Sequence, residues 1–149
     1  MSDDTFGFTT KVLEKGRILA INLHGATDLK ASLSSLRTLG TALANSPIEG
    51  LLMDYSRQHV SHDMDGFSEI ATAYCQLFPT GFPVVFVYNP DQVARVIFMT
   101  RRLEESGRSS RAFSAYDPAL DWLQDQLDAS YAASDDALNA AAAGKRATG

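Results

Sequence analysis

Residues 51–67, LLMDYSRQHVSHDMDGF, decide how the chain is read. Leu51, Leu52 and Met53 form a short apolar run with the character of a buried strand, and Asp54 ends it. A polar stretch follows with Ser56, His59, Ser61, His62, Asp63 and Asp65, and reads as a loop. Gly66 then opens a segment in which Phe67, Ile70, Ala71, Tyr74, Leu77 and Phe78 recur at helical spacing. A strand, a polar loop at its carboxyl end and a helix N-terminus mark the usual functional edge of an open α/β sheet.

Working outward, Phe8 to Leu13 and Arg17 to His24 are β-rich runs around Glu14-Lys15-Gly16, which reads as an antiparallel hairpin whose turn uses Gly16. A helix starts at Thr27 or Asp28 and carries Leu29, Leu33, Leu36, Gly40 and Leu43, with Leu39 beside them, until Asn45-Ser46-Pro47. Beyond the 51–67 stretch, Val84 to Tyr88 is apolar without alternation, the pattern of a strand covered on both faces. Asn89-Pro90-Asp91-Gln92 is a helix start with a capping box, and the helix ends near Gly107. Arg111 to Ala115 reads as a short last strand, and Asp117-Pro118 opens a final helix on Leu120, Leu123 and Leu127. The order is β-β-α-β-α-β-α-β-α. It predicts an α/β fold with a mixed, mostly parallel sheet of about five strands, an N-terminal antiparallel hairpin and then parallel strands joined by helical crossovers.

The 149 residues suit one domain with its own core, assigned here to residues 1–131. From 132 to 149 the composition turns to Ala and small residues with no apolar stripe, which reads as a frayed helix or disordered tail. A net charge of −5 argues against nucleic acid as the main partner. The single cysteine excludes an internal disulfide framework. No basic n-region or apolar run of about 20 residues is present, so neither a signal peptide nor membrane insertion is expected, and the cytoplasm is the expected location.

The strand with its Asp54-x-Ser56 ending, and Asp63-Met64-Asp65-Gly66 before an apolar helix, resemble the STAS domain of anti-sigma-factor antagonists. There the corresponding segment is Asp-Ser-Ser-Gly. Arg111-Ala112-Phe113 and Ala119-Leu120-Asp121-Trp122-Leu123 are similar to the SpoIIAA-like (STAS/SEC14) group of uncharacterised bacterial proteins. The resemblance covers about residues 8–128 and implies a non-enzymatic module that binds a regulatory protein. In the antagonists the serine before the glycine is phosphorylated and the phosphate blocks binding; here Asp65 stands at that place. A carboxylate there gains roughly 0.3–1 kcal/mol from the helix dipole. Asp65 is then either a plain helix-start acid or a switch held in its charged form. The partner-binding residues this implies are Asp54, Ser56, Ser61, Asp63, Asp65 and Gly66, with Arg95 and Arg102 of the neighbouring helix.

Other groups carry weaker signals. His59, His62, Asp63 and Asp65 are metal-capable types within seven residues, but no second ligand cluster supports a zinc site, and no cofactor is expected. Cys75 sits beside the Tyr74 stripe without a local basic cluster. Neither Gly-x-Ser-x-Gly nor a Gly-rich phosphate loop is present, so the chain does not read as an enzyme. Arg95, Arg101, Arg102, Arg108 and Arg111 form either a solvated face, with Arg101–Glu105 as an i,i+4 pair, or a docking face for an acidic partner or anionic head group. Trp122 and Phe113 read as core. A competing reading is a carrier or sensor of a small apolar or anionic molecule or lipid, for which an enclosed apolar cavity of some 300 Å³ or more is the signature. Homodimerisation through a helix face is also open.

Overall fold

A computed structural model describes residues 7–13, 16–60 and 64–129. The elements are β1 (Gly7–Leu13), β2 (Ile18–Thr27), α1 (Leu29–Ala44), β3 (Gly50–Val60), α2 (Met64–Leu77), β4 (Val84–Val87), α3 (Val93–Glu105), β5 (Ser110–Phe113) and α4 (residues 116–129). They form one sheet in the order β1-β2-β3-β4-β5, with β1 antiparallel to β2 and every later neighbour parallel. The predicted α/β class, hairpin and parallel crossovers all stand.

Each parallel crossover steps one strand further in the same direction. Crossovers of one hand then place α1, α2 and α3 on a single face, and α4 is left to cover the other. The side chains divide accordingly. Leu51, Met53, Val84 and Phe86 pack under the three-helix layer, while Leu52, Val85 and Val87 meet Ala119, Leu123 and Leu127 of α4. Covering both faces explains why the central strands read as unbroken apolar runs.

Local signals act where the sequence places them. Gly16 takes φ +89° at the hairpin. The Asp28 carboxylate accepts the Ala31 N–H at 2.8 Å and caps α1. Gly40 brings α1 close to α2, since a Cβ there would lie 3.0 Å from Leu77 Cβ.

Three expectations need correction. The polar stretch is strand rather than loop as far as Val60: β3 continues to that residue because β2 also runs on, pairing His24–Thr27 with Arg57–Val60. Between Asn22↔Asp54 and His24↔Arg57 the register slips, so β3 carries one residue more than β2, as in a β-bulge. The second helix starts at Met64 rather than at Gly66, and the last strand is Ser110–Phe113 rather than 111–115. Among the described residues, no helix is long and apolar enough to cross a membrane. The readings made for the 132–149 tail lie outside the described residues.

Candidate functional site

The bulge in β3 organises what lies around it. Its extra residue takes the Ser56 N–H out of the regular ladder. The Asp54 carboxylate accepts that N–H at 2.9 Å and the Ser56 hydroxyl at 2.6 Å, both on one oxygen. Asp54-x-Ser56 is therefore a side-chain clasp on the irregular strand. On that side the first turn of α4 approaches: burial, and then the carboxylates of Asp54 and Asp117, push the Tyr116 phenol up.

Past Asp54, β3 also loses β4, whose last pair is Asp54↔Val87. The freed carbonyls are met by side-chain amides from the start of α3. Gln92 Nε2 donates to the Tyr55 and Gln58 carbonyls at 2.8 and 2.9 Å, and Asn89 Nδ2 donates to the Ser56 carbonyl at 3.0 Å. The same amides complete the predicted capping box, Asn89 Oδ1 accepting from Asp91 N–H and Gln92 Oε1 from Asn89 N–H. Gln92 is buried, and its one acceptor and both amide hydrogens are matched.

The bulge also changes which side chains share a face. Alternation alone would put Tyr55 and Gln58, three apart, on opposite sides, but the extra residue shifts the phase and both face α1 and α2. The Tyr55 and Tyr74 hydroxyls lie 3.0 Å apart, and either can donate. Burial pushes the Tyr55 phenol up to about 12, with the Tyr74 hydrogen bond acting against it. Tyr74 is raised well above its usual value by burial, by repulsion from Tyr55 and by that hydrogen bond. Tyr55 stacks on Phe86 and Tyr74 meets the same ring edge-on.

This pair and Gln58 line one end of a groove-shaped cavity of about 510 Å³. Its walls are mostly apolar, with Leu19, Ile21 and Leu23 of β2 and Leu36, Leu39 and Ala42 of α1, and carry the hydroxyls of Ser32, Ser34, Ser35 and Thr38 of α1 and Thr10 of β1; Phe8 of β1 stands at the rim, 54% exposed. No Lys, Arg, His, Asp or Glu lines it among the described residues.

The sequence-predicted site residues separate into groups. Asp54 and Ser56 are joined directly. Asp65 is exposed in the first turn of α2, Gly66 behind it is buried, and the Arg95 guanidinium sits 5.7 Å from the Phe67 ring. Arg102 reaches Thr72 further along the α2–α3 seam at 3.4 Å. Ser61, His62 and Asp63, and the side chain of His59, lie outside the described residues; among those described, no cluster of three His, Cys, Asp or Glu gathers. Arg108 leaves the proposed basic face: its guanidinium donates to the carbonyls of Phe78, Cys75 and Ser106 and closes the C-terminus of α2. Cys75 lies 3.1 Å from the Ser106 hydroxyl. Tyr55, Gln58, Tyr74, Asn89 and Gln92 were missed as a group. Their only sequence signals were polar residues after an apolar strand and a capping box.

No family model and no curated protein matches the chain. Solved structures do. An anti-sigma factor antagonist from Mycobacterium paratuberculosis superposes with TM-score 0.57 at 18% identity, covering 83% of this chain and 97% of that one. An uncharacterised protein with a SpoIIAA-like fold from Shewanella loihica gives TM-score 0.53 at 18% identity, covering 83% and 98%. The chain has the SpoIIAA-like, STAS-type fold.

Proposed function

We propose that the chain is a non-enzymatic regulatory module that binds another protein through the N-terminal end of α2. The observation that carries this is the exposed Asp65 in the first turn of α2, with the Arg95 cation held over the adjoining Phe67 ring. Together they present a fixed charge pattern at the tip of the α2–α3 pair, and the fold is that of a protein named as an anti-sigma factor antagonist. Aspartate at 65 supplies negative charge without a modification step. Asp63 and Ser61 precede it in sequence and extend the proposed surface; Arg102 extends it along the seam. The expected setting is the cytoplasm. After a stoichiometric partner is identified by native mass spectrometry from the host, Asp65→Lys is expected to lower its affinity at least about tenfold at unchanged melting temperature. Full affinity in that variant removes the surface assignment.

A second reading, a carrier or sensor of a small molecule, is favoured by a separate observation. The cavity between α1 and the β1–β2 end of the sheet, at about 510 Å³, falls within the roughly 300–1,000 Å³ usual for small-molecule sites.

A further inference from the structure

We infer that this groove takes an uncharged, elongated apolar molecule with one oxygen-bearing end group, seated with that end against Gln58 and the Tyr55–Tyr74 pair. The inference rests on the carrier reading and names its ligand class.

Gln58 is the decisive residue. It is 3% exposed and lines the cavity. Its backbone carbonyl is engaged by Gln92, yet its side-chain amide has no hydrogen-bond partner among the described residues. That amide is not sealed off: it opens on the groove, where an incoming oxygen can take the place of water. The phenols offer a second contact. Two hydroxyls 3.0 Å apart share one hydrogen, so the accepting hydroxyl keeps its own hydrogen to donate. One end of the groove thus supplies amide and phenol donors, and the amide oxygen as an acceptor.

The rest sets the ligand's body and charge. Leu19, Ile21 and Leu39 make a wall that suits hydrocarbon. With no Lys, Arg or His on the lining among the described residues, an anion buried there would have no counter-charge from them; with no Asp or Glu among them, neither would a cation. A neutral alcohol, ketone or ester head matches the donors without bringing a charge into the groove.

The test uses the full chain with 1-decanol and decanoate at pH 8 as probes, followed by displacement of Nile red and by calorimetry. The expected result is 1:1 binding of 1-decanol, with decanoate at least about tenfold weaker. Gln58→Leu should cost 1-decanol about tenfold. Ala42→Trp, at an exposed position on the rim where folding is not at stake, should block it. Decanoate binding as tightly as 1-decanol overturns the neutral-ligand inference and leaves the carrier reading standing. No saturable binding of either probe, or binding indifferent to Ala42→Trp, overturns both.

Discussion

The three-helix face of the sheet is built in two different ways along its width. Under α2 and α3 it is filled and closed: Phe86, Tyr74, Phe78 and Phe82 follow one another at centroid distances of 5.3–5.7 Å, and Arg108 seals the end of α2. Under α1 it is underfilled: α1 turns Ser32, Ser35, Leu39 and Ala42 toward the groove, and small side chains do not reach the β2 surface. Aromatic volume closes one half of the layer, and its absence opens the other. The same sheet therefore serves as scaffold on one side and as the candidate binding wall on the other.

Large-to-small substitutions should break this contrast if it is wrong. Phe78→Ala in the filled half removes a ring held between Tyr74 and Phe82 and is expected to cost about 3–5 kcal/mol. Leu39→Ala, on the groove wall, creates no new cavity and should cost under about 1.5 kcal/mol. Chemical denaturation of both variants measures the difference. Equal losses would mean that the α1 side is packed as tightly as the other.

Element order, the Asp28 cap, the Gly16 turn and the Asn89–Gln92 capping box were all legible, because each depends on residues within a few positions of one another. The course of β3 was not. Ser56, Arg57 and Gln58 are polar enough to read as loop, and the strand runs on through pairing of Arg57 and Gln58 with β2 and through amides 33 and 34 residues downstream. Arg108 looked like one more surface cation for the same reason: the carbonyls it closes belong mainly to the end of another helix. The groove was invisible because its shape follows from the bulge, which changes which side of β3 each later side chain faces. Asp54 and Asp65 were found as residues, but only the structure shows that Asp54 works on its own strand while Asp65 faces outward.

Two buried glutamines sharpen the comparison further. Gln92, in the filled half, spends both amide hydrogens and its oxygen on the backbone; Gln58, at the groove, spends none of its side chain on the described residues. Gln92→Leu strands the Tyr55 and Gln58 carbonyls and the Asn89 N–H, at a cost of about 2–3 kcal/mol. Gln58→Leu should leave stability unchanged or slightly raised, because it removes a polar group that nothing pairs. Thermal melts of the two variants side by side decide this. A large loss for Gln58→Leu would show that its amide is bonded in the native protein and that the groove end is not vacant.

The border between the halves runs through Tyr55 and Tyr74, and alkaline unfolding locates it. Both phenols are neutral in the folded and unfolded chain below about pH 10, so they contribute no pH dependence there. Above that, the unfolded chain loses its tyrosine protons first, while Tyr55 holds its own up to about 12. The unfolded state then binds fewer protons than the folded one, and stability falls as pH rises. At pH 11 the loss attributable to Tyr55 is about 1.4 kcal/mol, and Tyr74 acts in the same direction. Tyr55→Phe should flatten this limb of the stability–pH curve by that amount relative to the wild type. If the limb is unchanged in Tyr55→Phe, water from the groove already reaches the pair, the phenols titrate as in solution, and the filled half ends at Phe86 instead.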